Sequence, residues 1–430
     1  MFPKLYRGLP VCFCLCAAYV FCVARAADIA SDADIALGVS AVNGFGFSLL
    51  SQLERTNSTG NVLISPLSIS SAVGLTAEGV TADSEALAQL SSVFEGLEFP
   101  EDLEFLPSLI RLTVEGSSGV NLTSANSVWL NPEFAEGVKQ SFKDNVRQRY
   151  GAQIQEFQSG QQVNAWVANV TRGLIDQAVD PSLSPSDVAA MLVNANHFKG
   201  LWTVPFETGN TQPGEFFNSN GPATVQMMGQ PPSKSDYGYS SLDINGVAVE
   251  VVELGFGQAS DFSALVILPR MTAEEKAALG APQPASNRLS EIIDGLAERP
   301  QVWGEINAAL ASTKGAMDVG LRMPRFKAES EFDLMTPFKK MGVTGIFERE
   351  AGNFEGMSES LQVYVDKITH KTVLEVNEEG AEAAAVTAFQ IVPLSLRPTV
   401  VVQVDHPFLF AIQSKKTGMI LFAGAMESLA

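Results

Sequence analysis

Past residue 22 the chain contains no cysteine: Cys12, Cys14, Cys16 and Cys22 all fall at the extreme N-terminus. The body of the protein therefore has no disulfide framework, no thiolate nucleophile and no cysteine metal site. Histidine is scarce too, with only His197, His370 and His406. No HExxH, P-loop or GxSxG motif is present, so neither a metal centre nor a dinucleotide site is suggested and no cofactor is expected. Counting does not exclude a Ser/His/Asp triad, because such residues meet only in space. Each histidine is bracketed by strand-like sequence, and a hydrogen-bonded structural role is the expectation for all three. Positive charge is the third deficit: 28 Lys and Arg against 48 Asp and Glu give a net charge of -20. So acidic a chain repels phosphate backbones, heparin-like polyanions and anionic membranes, which are discounted as partners. The acidity itself is read as serving solubility.

What is present begins with a targeting segment. Lys4 and Arg7 precede an apolar run from Leu9 to Val23, and Ala24-Arg25-Ala26 fits a small-x-small cleavage site. Residues 1–26 read as a secretory signal peptide, which places the protein outside the cell. The run is short for a transmembrane helix; an uncleaved anchor is the alternative. Residues 27–430, without disulfides, must be held by a core alone, and their number is ample for one. Three N-x-S/T sequons, at Asn57, Asn121 and Asn169, are candidates for glycosylation.

No internal repeat or low-complexity linker divides the chain, although its length alone would suggest two or three domains. Residues 35–53 have a helical pattern, with Ile35, Val39, Val42, Phe45, Leu49 and Leu53 on or near one face. Pro66 suits the first turn of a second helix, where its missing N–H is not needed, and Ser65 before it is a natural N-cap. Residues 163–175 predict a third helix, with Val163, Trp166, Val167, Val170 and Leu174 on one face and Asn169 pointing away. Strands dominate later. Residues 189–194 are nearly all apolar. Residues 247–254 alternate, with Val247, Val249, Val251 and Glu253 on one side, and residues 262–268 complete a hairpin. Residues 408–412 and 419–425 flank Lys415-Lys416-Thr417-Gly418 as a second hairpin, apolar enough to be buried on both faces. Helices early and strands late argue for one mixed α+β domain.

One stretch does not fit ordinary core. Glu378-Glu379-Gly380-Ala381-Glu382-Ala383-Ala384-Ala385-Val386-Thr387 is small and Ala-rich, and Leu394-Ser395 follows as a protease-like bait. In a strand, Ala381, Ala383, Ala385 and Thr387 share one face and Glu382, Ala384, Val386 and Ala388 the other. The first face could enter a crowded sheet without overpacking it. The competing reading is an Ala-rich helix or flexible linker, since Ala is also the best helix former.

Several motifs in order resemble one family, the serpins. Asn61-Val62-Leu63-Ile64-Ser65-Pro66-Leu67-Ser68-Ile69 resembles the start of its second helix. Leu192-Val193-Asn194-Ala195 followed by Phe198-Lys199-Gly200-Leu201-Trp202 and Phe206 resembles its central strand. Met323-Pro324-Arg325-Phe326-Lys327, then His370 to Gly380, then Asp405-His406-Pro407-Phe408-Leu409-Phe410 resemble later signatures, so that the likeness runs from about residue 35 to the end. The resemblance implies three β-sheets with about nine helices, a single domain over 27–430, and an exposed reactive loop at about 378–398. It also implies a metastable suicide inhibitor of serine proteases, not an enzyme. The cut loop inserts into the central sheet as a strand and distorts the acylated protease.

Residue by residue, the resemblance starts the hinge at Glu378 and places the scissile bond at Leu394-Ser395, with Pro393 stiffening the bait and Arg397 as a competing bait for trypsin-like enzymes. An apolar Leu394 suits a hydrophobic specificity pocket, which implies chymotrypsin-like or elastase-like targets. Ser65, Ser68, Asn194 and His370 match positions that gate sheet opening, Trp202 the place where insertion begins, and Arg325 with Glu378 a hinge ion pair. Arg325 replaces the more usual Lys, Asn196-His197 an apolar-aromatic pair, and Ala381 a common Thr. A monomer is expected. Two other functions stay open: a non-inhibitory serpin serving as carrier or storage protein, and an unrelated acidic secreted hydrolase.

Overall fold

The computed structural model describes residues 32–56, 60–94, 106–114, 120–219, 221–279, 288–348, 353–359, 363–381 and 397–430. The N-terminal segment expected to be a signal peptide, Asn57, and the stretch from Glu382 through Leu394 and Ser395 lie outside the described residues.

Sixteen strands form three sheets among the described residues. The first holds β1 (Val62–Ile64), β7 (Gly238–Ile244), β8 (Val247–Phe256), β9 (Phe262–Pro269), β15 (Phe408–Ser414) and β16 (Ile420–Met426), in the order β1-β16-β15-β9-β8-β7. The second holds β5 (Gln212–Asn218), β6 (Gly221–Gln230), β10 (Asp318–Pro324) and β14 (Thr399–Gln403), in the order β14-β10-β6-β5. The third holds β2 (Val120–Leu130), β3 (Gln153–Glu156), β4 (Ala190–Leu201), β11 (Phe326–Asp333), β12 (Thr369–Val376) and β13 (Gly380–Ala381), in the order β11-β12-β13-β4-β2-β3. Pairing is antiparallel except for β10 with β14 and β2 with β3.

Ten α-helices accompany them among the described residues, against the nine or so implied by the resemblance. They are α1 (Asp32–Thr56), α2 (Pro66–Ala77), α3 (Glu85–Ser92), α4 (Leu106–Val114), α5 (Gln140–Tyr150), α6 (Gly160–Val170), α7 (Ala273–Ala278), α8 (Leu289–Glu298), α9 (Gln301–Thr313) and α10 (Met335–Lys340).

The first sheet is the heart of the core. Every residue of β9, β15 and β16 is buried, as their largely apolar runs require, and the polar residues among them, Ser263, Gln413 and Ser414, are buried too. Rings interlock where the sheets meet: Phe410 stands edge-on to Phe326 at 5.4 Å, and Phe198 edge-on to Phe256 at 5.0 Å. α1 is long and apolar enough to cross a membrane over Ile35–Thr56, but most of that stretch is buried against α8, β16 and α2, as expected of a core helix.

Three local expectations change. β8 alternates only at its start; Val251, Val252, Glu253 and Leu254 are all buried, because this strand is covered on both faces. Glu253 tolerates burial by pairing with Lys415 from the second hairpin's turn, at 2.9 Å. The third helix stops at Val170, not near residue 175. Arg172 and Gly173 take positive φ, and the Gly173 N–H returns to the Ala168 carbonyl at 2.8 Å, which ends the helix. β4 runs on to Leu201, well past the expected residue 194.

Candidate functional site

The third sheet holds the site, because two of its strands lack each other. Among the described residues β4 is bonded to β2 and β13, and β12 to β11 and β13, with no ladder joining β4 to β12. Only the two-residue β13 bridges them: Ala381 pairs with Val376 on one side and with Gly200 on the other. Over the rest of their facing edges, β4 and β12 have no ladder partner among the described residues, and backbone donors and acceptors at such edges need one.

Below β13, the first turn of α2 clamps the two strands. Ser65 caps the helix, its Oγ accepting from the Ser68 N–H at 3.2 Å. Its backbone N–H donates to Nε2 of His370 on β12 at 3.1 Å. Ser68 donates through its hydroxyl to the Asn194 side-chain oxygen on β4. The Asn194 amide then donates to the Asn126 side-chain oxygen on β2 at 2.8 Å, which also accepts from Ser71 at 3.1 Å. Thr372 Oγ1 fixes β12 further by donating to the Leu63 carbonyl at 2.8 Å. These groups are polar and largely buried, so each bond matters more than a surface one and can be exchanged but not simply lost.

Above β13 lies the hinge. Asn377 folds the chain into a turn: its side-chain oxygen accepts from the N–H groups of Glu379 (3.0 Å) and Gly380 (3.2 Å), and its N–H donates to the Gly380 carbonyl (3.0 Å). Gly380 is required here. Its φ is +150°, and a Cβ would sit 2.0 Å from the Gly200 carbonyl oxygen. The turn is tied to the end of β4 by Trp202. Its N–H donates to the Glu379 carbonyl at 2.8 Å and its indole Nε1 to the Asn377 carbonyl at 2.9 Å. The indole stacks on Phe256, with centroids 4.4 Å apart. The Phe206 N–H holds the Glu378 carbonyl at 2.8 Å.

The structure therefore places the predicted residues in two groups. Ser65, Ser68, Asn194 and His370, the predicted gate residues, come together in one hydrogen-bonded cluster. Trp202 joins the hinge instead, because it stands just past the last residue of β4. Arg325 does face Glu378, but at 3.9 Å and with its own side chain half exposed; the nearer partner of Glu378 Oε1 is Thr211 Oγ1 at 2.7 Å. Such a pair contributes little by itself. Asn126, Asn377 and Thr211 are the residues that sequence reasoning missed. Asn377 had a signal, an Asn at the end of an apolar strand three residues before Gly380, another turn residue. Asn126 and Thr211 had none, since their partners are remote in sequence.

Each histidine has a structural setting. His370 is buried and accepts at Nε2, and burial pushes its pKa down to about 4, so the ring is neutral. His406 lies between the Asp405 carboxylate at Nδ1 and the Pro269 carbonyl at Nε2, both at 2.7 Å, which leaves no ring nitrogen for a nucleophile. Burial raises the Asp405 carboxyl, but hydrogen bonds from His406 and Lys276 outweigh it and hold it below the usual range. His197 is buried within β4. Of the sequons, Asn169 is exposed in the last turn of α6, whereas Asn121 is half-buried in β2 with its amide oxygen accepting from Arg172 Nη1 at 3.2 Å.

Comparison with known proteins agrees with this geometry. The family model described as serpin, serine protease inhibitor, matches residues 40–429. Iripin-8 of Ixodes ricinus is 31% identical over 406 residues, spanning 90% of this chain and 92% of its own. The leukocyte elastase inhibitor of Homo sapiens is 31% identical over 399 residues, spanning 90% and 98%. The crystal structure of native protease nexin-1 with heparin superposes with a TM-score of 0.72 at 24% identity, over 92% of this chain and 99% of that one, and shows the same fold. The chain belongs to the serpin family, whose members are generally protease inhibitors and not enzymes.

Two outcomes test this site. Gly380→Ala should strain the hinge turn by about 1–3 kcal/mol. Hydrogen exchange should then quicken at the Trp202 amide, and unchanged protection there would contradict the hinge geometry. The second outcome concerns pH. The His370 pKa is about 4 when folded and about 6.5 in an unfolded chain. Its contribution is full above pH 6.5 and is lost as pH falls toward 4, where only the unfolded state has gained the proton. The loss amounts to about 3 kcal/mol. Urea unfolding at pH 7.5 and pH 5 should show a smaller drop for His370→Gln than for the unsubstituted protein; equal drops would mean that another group governs the window.

Proposed function

We propose that this protein is a secreted suicide inhibitor of serine proteases that is cut at Leu394-Ser395 and then inserts its loop between β12 and β4. The observation that carries the reading is β13. Gly380 and Ala381 already stand as the first two residues of a strand in the place where β4 and β12 are not paired with each other among the described residues. In the inserted state both registers continue downward. Ala383 comes opposite Phe198 and Leu374, Ala385 opposite Asn196 and Thr372, and Thr387 opposite Asn194 and His370. Ala381 faces the main core and is 1% exposed, so Ala383, Ala385 and Thr387 face it too. Small side chains meet Phe198 and Leu374 without overpacking. Thr387 brings a hydroxyl to the gate, where it replaces bonds that opening disrupts. Glu382 falls on the opposite face, beside Lys199.

The bait sets the target class. Leu394 favours a protease with an apolar specificity pocket, of chymotrypsin or elastase type. The name of the leukocyte elastase inhibitor among the relatives is in keeping with that class. The apolar run at Leu9 to Val23 supports secretion, the exposed Asn169 supports glycosylation there, and the acidity supports a protein that works without heparin, nucleic acid or membrane, as a monomer.

Incubation with chymotrypsin or elastase should give a complex that survives denaturing electrophoresis, with the protease inactivated. A cleaved loop beside a fully active protease is the contrary result and would favour a non-inhibitory carrier. Ala381→Arg should convert the protein from inhibitor to substrate, because a charge would have to enter the sheet at a buried position.

A further inference from the structure

Edges of sheets are the places where a chain recruits another chain, and most edges in this protein are protected against it. β11 carries Lys327, Glu329, Glu331 and Asp333, β3 carries Glu156, β5 carries Pro213 and Glu215, and β7 carries Asp243. β1 has no charge but is three residues long and buried. β14, Thr399-Val400-Val401-Val402-Gln403, is different. It is uncharged, free of proline, rich in β-branched residues, and bonded only to β10 among the described residues. Val401 is 60% exposed, the highest value among the large apolar side chains that the described residues leave exposed.

The side chain is held in position. Val401 pairs with Gly320, and a Cβ at Gly320 would meet Pro232 Cδ at 2.9 Å and Val401 Cγ2 at 3.2 Å, so Val401 and Pro232 close over the glycine. Thr399 and Gln403 are exposed on the same face and add uncharged polar groups on either side. The chain that leads into β14 is also fixed: the Asp318 N–H donates to the Pro398 carbonyl at 2.9 Å, and Arg397 Nη1 lies 3.9 Å from Asp318 Oδ1.

We propose that the outer face of β14, centred on Val401, is a docking surface for the target protease, and that it adds to the selectivity set by Leu394. The inference rests on Leu394-Ser395 being the bond attacked. Val401 is six residues beyond Ser395, a span of at most about 20 Å in extended chain. A protease closed on that bond has the surface that receives the residues after the cut within reach of β14. In so acidic a chain the face is neutral and apolar, with Arg397 at one end. It fits the apolar rim of a protease cleft, and an acidic group on that rim would meet Arg397. Burying one exposed valine and excluding water around it is enough to change an encounter rate severalfold.

The test uses the full chain, the variants Val401→Glu and Val401→Thr, and whichever of chymotrypsin, elastase and trypsin consumes the loop fastest. The readout is the rate of total loop consumption, cleaved plus trapped, at protease concentrations well below saturation. Val401→Glu should slow consumption about tenfold and Val401→Thr less than threefold, with unfolding temperature and elution volume unchanged. Equal rates for all three proteins overturn the proposal. So does an effect confined to self-association, which would assign the face to a second copy of the chain. The fraction trapped, as opposed to cleaved, reports separately on inhibition, so that a substrate-only protein whose cleavage still depends on Val401 sustains the docking surface while the inhibitory reading fails. Absence of any cut between residues 389 and 398 overturns both.

Discussion

The first turn of α2 clamps together two strands that do not clamp each other. Ser65 holds β12 through His370, and Ser68 holds β4 through Asn194. Both serines sit at a helix start, where backbone N–H groups are unspent and side chains are held at fixed angles. Beneath the turn, α2 is buried along most of its length, packed on β4 of the third sheet, on β16 of the first, and on α4 and α1, so the clamp is anchored in the core between the sheets. Everything else about the central sheet follows from that arrangement. Its strands can part only if these few bonds yield, and the groups set free must then find new partners.

The polar cluster and the Asn377 turn lie at two ends of the strip where, among the described residues, β4 and β12 are not paired with each other. At the upper end Asn377, Gly380 and Trp202 set the direction and register of a strand that has barely begun. At the lower end the polar cluster marks where a continued strand would meet hydrogen-bonding side chains instead of aliphatic ones. Between them Phe198 and Leu374 fill the core side of their strands, which on the proposed reading leaves room only for small residues on an inserted face. On the proposed reading, a strand of suitable side chains that entered between β4 and β12 would gain ladder hydrogen bonds and burial there, and that gain would drive insertion.

Much of this was legible in the sequence, and the parts that were not share a cause. Ser65-Pro66 announces a capped helix locally, and the largely apolar runs of β9, β15 and β16 announce burial on both faces. Of the small alternate residues after Gly380, only Ala381 is among the described residues, and it is buried in β13 as the alternation expects. The failures are tertiary. Ser65 and His370 are 305 positions apart, and Thr211 and Glu378 are 167 apart, so no local pattern predicts either bond. Trp202 falls with the hinge because β4 runs to Leu201, a boundary that a nearly continuous apolar stretch does not mark. α6 ends early because an Arg adopts positive φ beside Gly173, which propensity does not foresee. Glu253 falls on the valine side of β8 in the alternation, and the cation that lets it be buried there, Lys415, comes from a turn 162 positions away.

If the gap between β4 and β12 is a true vacancy, filling it must stabilise the molecule. The most direct measurement is the unfolding temperature of the intact protein and of the same protein nicked at Leu394-Ser395, compared in one buffer by circular dichroism. A rise of tens of degrees on cleavage is the predicted result, since a full strand adds two ladders of hydrogen bonds and buries the face that begins at Ala381. An unfolding temperature that stays the same or falls after the cut would contradict the account, because the freed loop would then have found no place in the sheet.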